Sequence, residues 1–468
     1  MIHVENELLV GLEDVQIKDA FIAKEKINIE NNTNERKILV EKLLCEYKKI
    51  EDKTFIDYNF FQDKQETPVN FKQSMQLERH RWFPYKEGFS PLFVESFINR
   101  FTNKRNIKIL DVFSGVGTTV LQAGLMGFEG VGFDVNPLSN FIAKTKSISL
   151  DIEEQSKFIS IIEDFSNATL DFSVEKPDNK TVVSYFSERN IEWLLKLKFF
   201  YTQLEDPYQA LFKLVFLRII EPLSTHRKDG NGVKRKTNLA KIQTFTSTEY
   251  FKEYVVTFLK LLLEDIKKSP VQNVTTFHLK NSLENSNFEG NTFNAVLTSP
   301  PYANCFDYSK VYLSELWLGD FFINANSQKD FRRMSVRSHV HASWKERFGD
   351  KGSEIVNEIV SPYLSTQKLW SNKIPAMLCG YFKDMGQILE NLFPILEDGT
   401  PIGLVVGNSV YDGIPIATDL LLCEIGERIG YKVEKIEVYR KLTTSSQQLI
   451  KVENKEYLRE SLVVLRKI

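Results

Sequence analysis

Ile107-Lys108-Ile109-Leu110-Asp111-Val112-Phe113-Ser114-Gly115-Val116-Gly117-Thr118-Thr119 is the stretch whose reading decides the fold. A short, largely apolar run of strand length reaches Phe113, and two glycines then turn the chain into a helical pattern that continues to Met126. A second apolar run, Gly130-Val131-Gly132-Phe133, ends at Asp134. Strand, glycine turn, helix and strand in this order open a doubly wound α/β sheet. A glycine at a tight turn removes the side chain that would collide with a close ligand, and the next helix offers unpaired N–H groups. Gly115 and Gly117 fit that use. Asp134 stands about twenty residues on, where an acid accepts both hydroxyls of a ribose. Because the Gly-Lys-Ser/Thr ending of a phosphate-binding loop is missing, a nucleotide triphosphate is disfavoured. Taken alone the turn also reads as a structural connection, with Phe113 as core or as a ligand contact.

Downstream, the apolar run Phe293 to Leu297 breaks into Thr298-Ser299-Pro300-Pro301-Tyr302. The exocyclic amine of cytosine or adenine is a poor nucleophile because its lone pair is delocalised into the ring. Two acceptors aimed at its N–H bonds favour a more tetrahedral nitrogen with the lone pair free. The Ser299 hydroxyl and the Pro300 carbonyl are suitable acceptors, and the consecutive prolines Pro300 and Pro301 hold that carbonyl in one direction. Tyr302 supplies a face for stacking on the base. A base inside a duplex is out of reach of such a turn, so it has to be flipped out or supplied single-stranded. The bland alternative is a proline-rich strand exit with a core tyrosine.

Working outward, 468 residues suffice for one large α/β domain with insertions, or for two to three smaller domains. The formal net charge is −2, so any nucleic-acid contact must come from local patches. Cys45, Cys305, Cys379 and Cys423 are widely separated, without disulfide or metal-ligand spacing, and read as reduced thiols of a cytoplasmic protein. The N-terminus has no basic end followed by an apolar core, and no stretch has the length of apolar residues a bilayer requires, so secretion and membrane insertion are not expected.

Residues 1–70 read as an accessory extension with an amphipathic helix around Glu35 to Lys49. Residues 71–150 form the cofactor half of the domain and include a helix from Leu92 to Asn99, with Ser90 as cap and Pro91 in its first turn. Residues 151–270 read as a mainly helical insertion and candidate target-recognition module. Residues 271–323 hold the Ser-Pro-Pro-Tyr turn, 324–372 form a basic irregular loop or lid, and 373–468 complete the domain. In that last part, helices at Met377 to Leu396 and Ile416 to Ile429 flank a buried strand at Pro401 to Val406. The chain closes with a strand pair, Lys432 to Tyr439 and Ser461 to Leu465.

At these residues the chain resembles the S-adenosylmethionine-dependent amino-methyltransferases of DNA, above all those that modify the N4 amine of cytosine. The resemblance covers Asp111 to Thr119, Gly132 to Pro137, Thr298 to Tyr302 and Trp82 to Phe97, with further similarity at Tyr381 to Met385, Gly407-Asn408-Ser409 and Arg459 to Val464. It implies a Rossmann-like fold: a mostly parallel seven-stranded sheet with an antiparallel last strand pair. It also implies S-adenosylmethionine as cofactor, held by Trp82, Asp111, Phe113, Gly115, Gly117, Thr118, Thr119, Asp134, Asn136 and Asn281. Ser299, Pro300, Pro301 and Tyr302 would be catalytic. Ser299 before the prolines favours cytosine over adenine. Where many members carry an acid before the catalytic strand, this chain has Asn281, which offers only an amide.

The run His226 to Lys236 combines glycines with positive charge, and Arg227, Lys228, Lys234, Arg235 and Lys236 are candidates to contact a phosphate backbone. So are Arg332, Arg333 and Arg337 in the second basic stretch, which also holds His339, His341, Trp344, Lys345 and Arg347. Two alternating histidines without a nearby cysteine or acid cluster are a weak ligand set, and no metal is expected. The resulting expectation is a site-specific DNA methyltransferase acting on a flipped cytosine, the modification half of a restriction system whose endonuclease is a separate protein. N6-adenine methylation, guanine-N2 methylation of RNA and a cofactor-binding regulatory subunit are the rival readings.

Overall fold

The computed structural model describes residues 36–60, 69–103, 105–230, 232–288, 290–342, 352–442, 452 and 454–468. Its strands are β1 (Ile56–Asp57), β2 (Lys108–Asp111), β3 (Glu129–Asp134), β4 (His226–Asp229), β5 (Gly232–Arg235), β6 (Thr275–Leu279), β7 (Ala295–Thr298), β8 (Pro401–Gly407), β9 (Ser409–Tyr411), β10 (Ile414–Ile416), β11 (Tyr431–Lys441) and β12 (Arg459–Lys467). Before the sheet come α1 (36–51) and α2 (Pro91–Phe101), and α3 (Thr118–Leu125) and α4 (Pro137–Lys146) follow β2 and β3. Between β3 and β6 lie α5 (Ile152–Asn167), α6 (Lys180–Val183), α7 (Glu188–Tyr201), α8 (Tyr208–Leu223) and α9 (Thr248–Lys268). Beyond β7 come α10 (Tyr308–Val311), α11 (Leu313–Leu318), α12 (Ala325–Met334), α13 (Ser361–Thr366), α14 (Ile374–Leu392) and α15 (Thr418–Ile429).

Eight strands form one sheet in the order β1-β11-β12-β8-β7-β2-β3-β6. Neighbours from β6 to β8 run parallel, and β12 is antiparallel to both β8 and β11. This is the α/β arrangement expected from the sequence, with one more strand: β1 adds Ile56 and Asp57 beside Ile436 and Glu437. Alternate residues of each strand face opposite sides. Ile109, Ala295, Leu297 and Leu462 pack with α2, whereas Leu110, Val296, Leu404 and Val463 pack with α1, α14 and α15. The cap of α2 is as expected, with Ser90 accepting from the Leu92 N–H and Pro91 in the first turn.

Two stretches differ from the sequence reading. The basic run after α8 is an antiparallel hairpin, β4 with β5, rather than a loop. Part of the stretch read as irregular is helical: Asn324 caps α12 by accepting from the N–H groups of Asn326 and Ser327. Phe331 is the one buried side chain of that helix, so little apolar periodicity marks it. Trp344, Lys345 and Arg347 lie outside the described residues.

Candidate active site

Parallel strands whose order reverses between β2 and β7 leave a crevice at their carboxyl ends. The two signature turns meet there. Asp111 closes β2, and its carboxylate accepts from the Thr298 hydroxyl at 2.6 Å and the Phe113 N–H at 3.1 Å, fastening the ends of β2 and β7 together. The Gly115 N–H donates to Asp134 Oδ2 at 2.8 Å, and Asn136 N–H donates to Oδ1 at 2.7 Å. Gly115 has φ of +50°, and a Cβ there would stand 3.3 Å from the Tyr85 ring. Gly117 has φ of +83° and serves packing instead: its Cβ would fall 2.8 Å from both Ala143 and Phe277.

Two cavities flank the Ser-Pro-Pro-Tyr turn. The first is bounded by the glycine turn, Asp111, Asp134, Asn281, Ser299 and Pro301. Pro300, Tyr302, Asn304, Phe306, Arg440 and Glu460 help line the second. Ser299 and Tyr308 border both, as do Glu87, Gly88 and Phe89. Ser299 Oγ donates to the Val405 carbonyl at 3.1 Å, so its proton is engaged and its lone pairs remain to accept. The Tyr302 hydroxyl donates to Glu460 Oε1 at 2.6 Å, which fixes the ring, and burial with the Glu460 charge holds that phenol well above its ordinary pKa.

Burial also raises the carboxyls of Asp111 and Asp134, each to about 6 against hydrogen bonds that oppose the shift. Neither has a cation partner among the described residues. The buried side-chain atoms Ser114 Oγ and Asn136 Nδ2 beside them have no hydrogen-bond partner. A buried acid, a half-buried one and two orphaned polar groups around one cavity suit a ligand that is cationic and rich in hydrogen-bonding groups.

Of the residues expected to hold a cofactor, Asp111, Phe113, Gly115, Thr118, Asp134, Asn136 and Asn281 line the first cavity. Gly117, as shown, packs between a helix and a strand, and Thr119 is buried with its hydroxyl toward the Leu297 carbonyl. Trp82 is turned away from the cavity, fully buried, with its indole N–H on Asp265 of α9 at 2.9 Å. Tyr85, Glu87, Tyr308 and His339 also border the cavity. Glu87 accepts the Tyr312 hydroxyl at 2.6 Å, and burial raises its carboxyl.

The basic candidates divide. Arg227, Lys234 and Arg235 are exposed on the hairpin, and Arg333 is exposed on α12. Lys228 points inward and pairs with Glu221 at 2.8 Å and with Glu315. Burial alone would lower its ammonium, but the two carboxylates outweigh it and hold it above its ordinary range. Lys236 donates to the Glu221 carbonyl at 2.7 Å, Arg332 pairs with Asp307 at 2.8 Å, and Arg337 is buried against Asp384 at 2.6 Å. These four were expected on a phosphate backbone; their charges are instead spent on partners inside the protein, which a charge run in sequence cannot reveal. Among the described residues no group of three or more His, Cys, Asp or Glu could hold a metal ion, and no helix is long and apolar enough to cross a membrane.

No protein-family model matches the chain. It is similar to the type II methyltransferase M.AvaI of Nostoc sp., with 28% identity over 431 residues, covering 83% of this chain and 86% of the relative. The type II methyltransferase M.BsoBI of Geobacillus stearothermophilus is 28% identical over 442 residues, 83% of this chain and 85% of its own. Among solved structures, TrmN from Thermus thermophilus aligns with 86% of this chain and 53% of its own, at 8% identity and a TM-score of 0.28, too slight a likeness to argue from.

Proposed function

We propose that this chain is a site-specific DNA methyltransferase that modifies the N4 amine of a cytosine flipped out of the duplex. S-adenosylmethionine is the methyl donor, and the setting is the modification arm of a restriction system with a separate endonuclease. Similarity to type II methyltransferases along most of both chains supports the DNA methyltransferase reading. One observation carries the amine chemistry: Ser299 borders both cavities, with its proton committed to Val405 and its lone pairs free.

The first cavity fits the cofactor, because its unpaired acids and orphaned polar atoms complement a molecule with a sulfonium, an ammonium and ribose hydroxyls. When bound, S-adenosylmethionine supplies a methyl group on a positively charged sulfur. Asp134 would hold the ribose, and Asp111 would add negative potential near the cationic end. In the second cavity Ser299 Oγ and the Pro300 carbonyl accept the two amine N–H bonds, draw the nitrogen toward a tetrahedral shape and aim its lone pair across the shared wall. Tyr302, fixed by Glu460, supports the base. The proton of the alkylated amine leaves afterward to solvent, so no base of unusual strength is required. The β4–β5 hairpin stands beside this cavity, with the Lys86 ammonium, on the cavity wall, donating to the Lys228 carbonyl at 3.3 Å. Its exposed Arg227, Lys234 and Arg235, together with Arg333, are the proposed phosphate contacts.

Nucleosides from DNA treated with the protein should contain N4-methylcytosine. Mass analysis finding only N6-methyladenine would overturn the choice of base while leaving the cofactor site intact.

Cofactor affinity should depend on pH. At neutral pH Asp111 and Asp134 are ionised and attract a cationic ligand; as pH falls through about 6 they take up protons and the attraction is lost. Calorimetric titration from about pH 7.5 to about pH 5 should show a weakening that approaches tenfold per pH unit for each proton taken up. Without ligand the sign reverses. A carboxyl raised in the folded state stabilises below its ordinary pKa, and that contribution disappears as pH rises through about 6.

A further inference from the structure

The second cavity carries an arginine, Arg440, that the methyl transfer described above does not use. Arg440 near the end of β11 and Glu460 near the start of β12 stand directly opposite in the antiparallel register, and both line the cavity. Arg440 Nε donates to Glu460 Oε2, while the other oxygen of that carboxylate takes the Tyr302 hydroxyl at 2.6 Å. Side-chain exposure is 4% for Glu460 and 25% for Arg440. One buried carboxylate therefore fixes two lining groups, the tyrosine ring and the guanidinium. Because Arg440 is anchored through Nε, its two terminal nitrogens have no partner among the described residues.

We propose that Arg440 reads the target base, donating its two free guanidinium nitrogens to N3 and O2 of the flipped cytosine while Glu460 holds it in register with Tyr302. This rests on the function proposed above and adds a source of base selectivity to it. Ser299 and Pro300 accept from an exocyclic amine and would accept equally from cytosine or adenine. Next to its amine, cytosine presents two adjacent acceptors, N3 and O2, which match a planar fork of N–H donors. Adenine presents N1 and then a C–H, so the second N–H would stay unsatisfied in a desolvated pocket. Thymine and guanine present a ring N–H at the corresponding place, donor against donor. The carboxylate of Glu460 cannot do this reading, since it offers no donors. Arg440 also differs from the phosphate candidates: it is three-quarters buried on a cavity wall, whereas Lys234 is 68% exposed.

The test uses the full chain with Arg440→Gln, Arg440→Lys and Glu460→Gln, each first checked for cooperative thermal unfolding. Plasmid DNA is methylated under single-turnover conditions, products are separated as nucleosides, and S-adenosylmethionine affinity and the salt dependence of DNA binding are measured in parallel. Arg440→Gln should lower cytosine methylation per unit DNA by about 10- to 100-fold, the discrimination carried by one bidentate contact, with cofactor affinity and salt slope unchanged. Arg440→Lys should fall in between, because a single ammonium cannot serve both acceptors at once. Glu460→Gln keeps a partner for Tyr302 but loosens the guanidinium, and should lower the rate in the same direction. Unchanged methylation by Arg440→Gln would overturn the proposal. So would a salt slope reduced by about one with the rate restored at saturating DNA, the signature of a phosphate contact. Should Arg440→Gln fail to fold, Arg440→Lys decides by the same two readouts. A wild-type protein that methylates no DNA, or only adenine, is the separate failure of the parent reading.

Discussion

Ser299→Ala is expected to lower the methyl-transfer rate by about 100-fold or more, the usual scale for losing one preorganised hydrogen-bonding group at a reacting centre, with cofactor affinity unchanged. Ser299 is only half-buried, and its loss costs the fold little more than one hydrogen bond to Val405, about 1 kcal/mol. The Pro300 carbonyl remains in the variant, so activity should be residual rather than nil. Single-turnover methylation with both substrates saturating measures the rate, and calorimetry with S-adenosylmethionine alone measures affinity. Normal turnover would remove the Ser299 hydroxyl from the mechanism. Loss of cofactor binding in step with the rate would assign it to the first cavity instead.

Asp265→Ala is expected to destabilise the protein by roughly 3–5 kcal/mol, the cost of removing one partner from a buried ion pair. The Asp265 side chain is fully buried on α9. Its Oδ2 accepts from the Arg79 N–H at 3.0 Å, Arg81 Nε at 3.0 Å and the Trp82 indole at 2.9 Å, and its Oδ1 accepts from Arg81 Nη2 at 2.5 Å. Truncation strands these donors. The Arg79 guanidinium beside them is buried too, against the carbonyls of Lys146 and Ile148, and burial lowers it to about 10. The same carboxylate sets where the chain goes next, to Tyr85, Glu87, Gly88 and Phe89 on the cavity walls. Urea unfolding should show the lower midpoint, and the KM for S-adenosylmethionine should rise. A variant as stable as the parent would mean that this cluster is not what holds the segment.

What the sequence made legible follows the reach of its signals. The β2–α3–β3 unit, the strand ending at Thr298 and the closing pair β11 and β12 are marked by local apolar runs with glycine or proline at their ends, and all appear close to where the pattern puts them. Gly115 and Ser299, far apart in the chain with the whole helical insertion between them, border one cavity. Partners set by tertiary contact were not legible. Trp82 looked like part of a cofactor wrap because nothing nearby in sequence names Asp265 as its acceptor. Lys228 and Arg337 looked like surface cations because Glu315 and Asp384 come from distant helices. The strand β1 is two residues long, too short for any alternation to announce it. For Tyr85 and Glu87 the aromatic approach to α2 was a signal, but it could not say which of its residues would face inward.

The edge where β1 joins β11 bears on the order in which the chain is made. Tyr47 on α1 is fully buried, and its hydroxyl donates to the Pro415 carbonyl, 368 positions later, while receiving the Ala417 N–H. As the chain emerges from the ribosome, the β2–β3 pair can form early, but α1 and β1 have no surface to dock on until β11 has been synthesised. The first described elements to be translated are therefore among the last to settle, and until then the apolar side of α1 has no native surface to cover it.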